Sequence, residues 1–387
     1  MKMLYLSRLD IHNTKHIGTY NKVATMCNGF ERNGQLVYLE RYNGPKTEIV
    51  RVADGTVCFE KEYGTGVKGR YQFYRDIVSW ALQQQVNYFY IRFDHLDFFA
   101  SSAYKRAQKA GITVILELPT YPYEGERDKR HRELLIRKKY VQYLIKKLLV
   151  LDEQIHIRGV HRYIHRIVTY THTGNIWNTP TLCIDNGIDC NRIQLREHSC
   201  IKGQMRFVCI ANLSIWHALD RFVEGLKNYV GSKQNLEIKP VLWVVGEGSE
   251  LPHIKELVSQ YGLEDYVKFL GPQHGEALDR IISQADIGIG TLGLHRIGLQ
   301  WGSTLKAKEY CAYGLPFIYG SPEKSLTGSE PYALKLPSDD TPVDLEKVMD
   351  FAVKVCNNQE VFIQMRRKAE AEYSWDILTK NILEEGC

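Results

Sequence analysis

Five apolar residues, Val241-Leu242-Trp243-Val244-Val245, run into Gly246-Glu247-Gly248-Ser249 and then into helical sequence, Leu251–Tyr261, with Gly262 behind it. An uncharged apolar run of this length reads as a strand buried on both faces, the kind found in parallel sheets. Glycines at the turn let backbone come close to whatever lies above it, and Gly262 closes the helix as a C′ residue. The same glycines also suit an ordinary strand-to-helix turn, so phosphate approach at the helix N-terminus and plain turn chemistry both remain open from the residues alone.

Outward from this unit the alternation continues. Downstream come a strand at Val267–Leu270, a helix at Ala277–Gln284, a strand at Ile287–Thr291, and a helix at Thr304–Tyr313 stopped by Gly314-Leu315-Pro316 before the strand Phe317–Tyr319. Upstream, Phe207–Ala211 and Leu219–Tyr229 open this series, and the polar run Arg192–Gln204 reads as a linker. An earlier series has strands at Met3–Ser7, Leu36–Leu39, Tyr88–Arg92, Thr113–Glu117, Ile167–Tyr170 and Thr181–Ile184. Its helices are expected at Tyr20–Asn33, Tyr71–Gln84 and Ser101–Lys109, with a loop over Asp10–Thr19. The fold class is therefore α/β, with two open, mostly parallel sheets and ligands expected at the carboxyl ends of strands, in a cleft between the domains.

Composition excludes several classes. In 387 residues, 44% are hydrophobic and 25% charged, and Gly plus Pro make 42 without period, so neither a disordered tail nor a collagen-like fibre fits. No apolar run approaches the roughly 20 residues of a spanning helix. The start does not read as a signal peptide. Nine cysteines without a Cys-x-x-Cys argue against a zinc site or a disulfide framework, and a cytoplasmic setting is expected. His156, His161 and His165 lack an accompanying carboxylate or cysteine pattern, and no Asp-x-Asp occurs, so no metal is expected.

Charge is uneven. Between Arg127 and Lys147 lie nine Lys/Arg and two acids, a local +7 against +5 for the whole chain. With Leu134, Leu135, Val141, Leu144, Ile145 and Leu148 between them, these residues read either as a solvated helix face over a core stripe or as a helix on an anionic membrane, touching it through Arg137, Lys138, Lys139, Lys146 and Lys147. A polyanion-binding module is a weaker alternative. No DNA or RNA motif accompanies the charge, so nucleic acid is not an expected partner.

Lys306 and Glu309 fall three apart in the helix after Gly302-Ser303-Thr304 and share a face. They suit either a diphosphate and a ribose or a simple surface ion pair. In order and spacing, Asn186-Gly187-Ile188-Asp189, Ile210–Arg221, Gly246-Glu247-Gly248, Val267–Gly271, Ala285-Asp286-Ile287-Gly288 and Leu305–Tyr310 resemble retaining glycosyltransferases of the GT-B fold, the large family-four group that uses nucleotide-sugar donors. Glu117–Tyr123 is similar to a stretch in bacterial polysaccharide-building members, and Tyr373-Ser374-Trp375 to the final helix that crosses back to the first domain.

The resemblance implies an acceptor-binding domain over 1–190, a nucleotide-sugar-binding domain over 191–370 and a returning helix over 371–387. It implies that Glu309 binds the donor ribose, that Gly18, Gly246 and Gly248 lie near the donor, and that backbone at Leu270 meets the base. Asn212 stands where an Arg is usual and His217 where a Lys is usual, so Arg221 and Lys306 are the expected substitutes. Trp301 stands where a second glutamate is common, leaving His295 and Arg296 in the loop Leu292–Gly298 to contact the donor. Catalytic roles are expected for Glu117, His217 and His295, although a strand-end Glu117 equally suits backbone capping. Acceptor contact is expected from Tyr121 and Tyr123. The implied reaction is sugar transfer from a UDP- or GDP-sugar to a glycan or lipid-linked acceptor with retention, in capsule, exopolysaccharide or other surface-glycan synthesis. It takes place at the cytoplasmic face of a membrane, without metal or other cofactor. An epimerase or phosphorylase of the same fold is the enzymatic alternative.

Overall fold

The computed structural model describes residues 1–122, 139–170, 173–196, 203–233, 235–299 and 302–386. The chain forms two compact units, Met1–Asp189 with Trp375–Cys387, and Cys190–Ser374.

The first unit is built on β1 (Lys2–Asp10), which lies parallel to both β2 (Leu36–Asn43) and β5 (Tyr88–Arg92). Beyond β5 the sheet continues in parallel through β6 (Thr113–Leu118), β7 (Arg166–Thr169) and β9 (Thr179–Cys183), with β8 (Asn175–Ile176) antiparallel at the end. On the other side β3 (Lys46–Arg51) and β4 (Val57–Glu62) extend β2 as an antiparallel meander. Successive side chains of β1 enter opposite layers. Leu4 and Leu6 pack under α2 (Gly66–Gln83) and α3 (Phe98–Lys109) with Ile77, Trp80 and Tyr104. Met3 and Tyr5 pack under α1 (Thr14–Arg32) with Met26, Phe30 and Trp375.

Several boundaries depart from the sequence reading. α1 begins at Thr14, not Tyr20, so Gly18 belongs to a helix and not to a loop. α2 begins at Gly66, and α3 at Phe98 behind Asp97, whose carboxylate accepts from the Ala100 N–H. The meander was not foreseen. Its outer strand Val-Cys-Phe-Glu-Lys-Glu is too polar to give a strand signal without its neighbours. The helix α4 (Tyr140–Ile157) carries the described part of the basic segment; Arg137 and Lys138 lie outside the described residues. Its apolar residues do not enter a core. Val141, Leu144, Ile145 and Leu148 are all exposed, Leu148 at 66%, and Glu153 is the only buried residue of the helix. Over Tyr140–Ile157 the core-stripe reading is thereby corrected; Leu134 and Leu135 lie outside the described residues.

The last helix, α11 (Trp375–Gly386), packs on α1. Trp375 is fully buried, its backbone N–H donates to Ile188 O, and its indole donates to Thr25 Oγ1 at 3.1 Å. A Cβ on Gly187 would lie 2.4 Å from this ring and one on Gly29 2.8 Å from Trp375 Cβ, so only glycine admits the indole on either side. Arg32 closes the junction with Asp189 and Asp376.

The second unit is a six-stranded, all-parallel sheet in the order β12-β11-β10-β13-β14-β15. Here β10 is Gln204–Ile210, β11 Lys239–Val245, β12 Val267–Gly271, β13 Ile287–Ile289, β14 Phe317–Tyr319 and β15 Ala333–Lys335. Its helices are α5 (Leu219–Ser232), α6 (Leu251–Gln260), α7 (Gly275–Gln284), α8 (Leu305–Tyr313), α9 (Leu345–Cys356) and α10 (Gln359–Lys368). The strand order reverses between β10 and β13. In open α/β sheets a reversal of this kind leaves a crevice at the strand ends where ligands bind.

Candidate functional site

The loops that leave β10 and β13 meet above this reversal. Leu292 N donates to His217 O and Gly293 N to Trp216 O at 3.0 Å. The loop after β11 closes on the first of them: Leu213 N donates to Glu247 O, and Gly246 N to Gly271 O. Gly246 (φ +119°) and Gly248 (φ +139°) are needed for this closure, because a Cβ would come to 2.0 Å from Ala211 O and 2.2 Å from Leu213 O respectively. Their absent side chains thus admit neighbouring backbone. This is the turn chemistry that the sequence left open beside phosphate approach.

His217 sits in this loop, buried, and its Nδ1 accepts from Ser214 N at 2.9 Å. Burial, then the charge of Lys306, pushes its pKa down to about 3, so the ring is neutral at pH 7. With Nδ1 accepting, the single ring proton is on Nε2, which is a donor.

Lys306 lies in the first turn of α8. Its Nζ is buried with no hydrogen-bond partner among the described residues. Burial lowers its pKa, with Cys209 and Glu309 working in the opposite direction. Glu309, one turn on, is exposed and makes no ion pair with Lys306 among the described residues. Burial by the protein around it pushes its carboxyl up to about 7, against the pull of Lys306; an exposed carboxyl keeps part of its water, so the upward direction is what bears on its chemistry. The surface ion-pair reading of the two residues fails. What stands in its place is a desolvated ammonium beside a neutral histidine donor and a reluctant carboxylate. Such a set accepts an anion and hydroxyl groups.

Residues remote in sequence hold this set in place. Glu323 is buried, and its two oxygens accept from Thr304 N (3.0 Å) and Thr304 Oγ1 (2.6 Å), fixing the start of α8. Lys308 Nζ donates to Ser303 Oγ at 2.6 Å. Nothing in the local sequence pairs Glu323 with residue 304.

The remaining expected residues are placed differently. Arg221 is almost wholly buried and donates to the carbonyls of Leu292 (2.7 Å), Thr341 (2.8 Å) and Pro337 (3.1 Å). It clamps the loop after β13 to the loop between β15 and α9 and has no fork to offer a phosphate. Arg296 is bidentate to Asp220 at 2.9 and 2.8 Å and reaches Asp340 at 2.6 Å, while His295 Nε2 lies 3.1 Å from Asp340. Both are corrected from donor and catalytic contacts to members of an acidic pairing. Asn212 is exposed at the start of the β10 loop. Leu270 is at the bulge of β12, and its carbonyl accepts from Gln273 Nε2 at 2.8 Å. Gly18 faces open space inside α1.

In the first unit Glu117 is fully buried. It accepts from Tyr5 Oη, from Tyr170 Oη at 2.8 Å, and from Arg92 at 2.6 Å. Burial works to raise its pKa, but Arg92, then Lys22 and the two phenols, hold it below the usual carboxylate range. A carboxylate so engaged is unavailable to an acceptor hydroxyl, and it also caps no backbone. The catalytic assignment is corrected to a core ion pair. Tyr121 is half-buried against the core of this unit; Tyr123 and Trp301 lie outside the described residues. Lys139, Lys146 and Lys147 are exposed on or beside α4.

No family model matches the sequence. No curated protein matches it significantly. Among solved structures, a glycosyltransferase from Rickettsia africae is similar over 99% of this chain and 97% of its own, with a TM-score of 0.63 at 10% identity. Trehalose-6-phosphate synthase OtsA is similar over 100% and 98%, with a TM-score of 0.59 at 10% identity. The lipopolysaccharide outer core galactosyltransferase WaaB is similar over 100% of both chains, with a TM-score of 0.57 at 11% identity. These likenesses show the fold: two Rossmann-like domains of the GT-B glycosyltransferase type.

Proposed function

We propose that this chain is a retaining glycosyltransferase. It moves a sugar from a nucleotide-sugar donor, most simply a UDP- or GDP-sugar, to a glycan or lipid-linked acceptor during bacterial surface-glycan synthesis. The observation that carries the reading is the buried, unpartnered ammonium of Lys306 at the strand-order reversal of the second unit. An isolated buried charge costs several kcal/mol unless a ligand pairs with it. Breaking the bond between the sugar and the diphosphate leaves negative charge on the departing nucleotide. Lys306 Nζ and the Nε2–H of His217 are the donors that meet it, and Glu309 accepts from ribose hydroxyls. Preformed donors in a desolvated site favour the charge-separated transition state over the ground state.

The shared fold with glycosyltransferases supports the reading, as does the retention implied by the family resemblance. The exposed apolar side of α4 and its lysines suit an in-plane helix at the cytoplasmic leaflet, where a lipid-linked acceptor resides.

Calorimetric titration of the full chain with UDP and with GDP tests the donor half. Lys306→Ala is expected to weaken the preferred nucleotide by about tenfold or more, the scale of losing a charge-assisted hydrogen bond. Equal affinity in the variant and the parent would remove the basis of the assignment.

A further inference from the structure

The side chains of α4 divide between two faces with a regular period. Tyr143, Val150 and Ile157, each seven residues from the next, are half-buried, and the buried Glu153 lies beside them, 2.7 Å from His95 Nδ1. This side packs on the first unit, and Ile157 joins the core beneath α2 and α3. The opposite side carries Val141, Leu144, Leu148, Leu151 and Ile155, at intervals of three, four, three and four, all exposed. An apolar alternation of this kind is the seam of a coiled coil. Val141, Leu148 and Ile155 take the a positions, Leu144 and Leu151 the d positions. β-branched residues at a with leucine at d favour a parallel pair of helices.

The flanks of the seam complement one another. In a parallel pair, the residue before each a position faces the residue five places further on in the other helix. Tyr140 then meets Ile145 of a second copy, and Lys147 meets its Asp152. Two-fold symmetry makes each contact twice. An antiparallel pair sets each flank against its own kind. The flank of Tyr140, Lys147 and Gln154 holds no acid, and that of Ile145 and Asp152 holds no base. Lys147 is exposed. Asp152 Oδ2 accepts from Phe98 N at 3.4 Å and its Oδ1 lies 3.2 Å from His156 Nε2, and each oxygen keeps a second lone pair for an ammonium. Because α4 is already ordered on its own unit, pairing has no helix to form.

We propose that α4 is a homodimer interface, in which a second copy of this chain closes the apolar seam as a parallel, in-register helix pair. The packed face and the seam point in opposite directions, so the two copies of the first unit lie on opposite sides of the pair. Anionic lipid calls for an apolar side and basic residues, but neither for the alternation of three and four nor for an acid on the flank. A bilayer and a second copy compete for the same side of α4. Pairing is therefore the state of the chain away from lipid, and it holds whether or not the chain transfers sugar.

The test is sedimentation equilibrium of the full chain without lipid or detergent. Over about 1 to 100 µM the mass is expected to rise from 44.8 kDa toward twice that value, with a Kd on the order of 10 µM, as suits a small interface. Leu148→Glu changes an exposed residue, so it spares the core, and it should weaken association about tenfold or more. Lys147→Asp and Asp152→Lys should each weaken it about fivefold, the scale of a rim ion pair made twice, and the double variant should regain the parent's affinity. Val141→Cys and a tagged Ile155→Cys, mixed in equal amounts with diamide as oxidant, should each cross-link to their own kind and not to each other, since a parallel pair holds the two positions about 20 Å apart. A mass that stays at 44.8 kDa throughout, an unchanged Kd in Leu148→Glu, a double variant no tighter than the single ones, or cross-linking between positions 141 and 155 overturns the proposal. A chain that stays monomeric yet floats with anionic vesicles also overturns it, and leaves this side of α4 to lipid.

Discussion

Glu309 offers a titration that separates the proposed ribose contact from a structural role. Its carboxyl is pushed up to about 7, above the ordinary value of an unfolded chain. The ionised form accepts hydroxyls, so on its account UDP affinity should rise about tenfold from pH 6 to pH 8, following the ionised fraction. Glu309→Gln should flatten that dependence. The stability sign is opposite: a raised folded pKa favours the folded state below the unfolded pKa, and that contribution is lost as pH rises through about 7. Glu309→Gln should therefore raise Tm more at pH 8 than at pH 5. Glu117 presents the contrary case. Replacing it with Gln leaves Arg92 without its carboxylate among Tyr5, Tyr90 and Tyr170, which should cost about 3 kcal/mol and lower Tm while UDP titration stays unchanged. Retained Tm with lost turnover would restore a catalytic part for it. The contrast between Lys306 and Arg221 shows what residue types alone tell. Both read as phosphate ligands, but only the folded chain shows that Arg221 spends its fork on carbonyls at positions 292, 337 and 341.

At the scale of elements, the parallel strands were legible because buried strands are uncharged apolar runs, and α8 because a Gly-Leu-Pro stop follows it. The β3–β4 meander was not, since a polar edge strand takes its conformation from its neighbour. Glu323 was equally hidden, because its support of α8 is purely tertiary. The helix α4 carries Val141, Leu144, Ile145, Leu148 and Ile155 at intervals of three, four or seven, all exposed, beside Lys146 and Lys147. An amphipathic helix so exposed should bind vesicles containing anionic lipid. Flotation with phosphatidylglycerol vesicles should recover the parent chain, and Leu144→Ser with Leu148→Ser should abolish recovery. Replacing Lys146 and Lys147 should weaken it by about 1 kcal/mol per charge, more so at low salt. Equal flotation of the serine variant would refute membrane contact through this helix.

For the whole molecule, the sequence reading set two α/β series over 1–190 and 191–370 with a returning helix over 371–387, and the structure divides the chain at Asp189 and returns it at Trp375. Gly187 was quoted for its motif, and its reason is steric: a Cβ there would meet the Trp375 ring at 2.4 Å. Gly187→Ala should therefore destabilise the first unit by about 1–3 kcal/mol, the usual cost of overpacking, visible as an earlier thermal transition. An unchanged transition would mean that the junction is looser than described. This junction also sets an order of events on the ribosome. The amino-terminal unit owes part of its core to an indole translated almost two hundred residues after the rest, so it must wait, incompletely folded, while the second unit is made. Interrupting translation before codon 375 should leave a protease-sensitive nascent chain whose first half matures only when the last helix emerges.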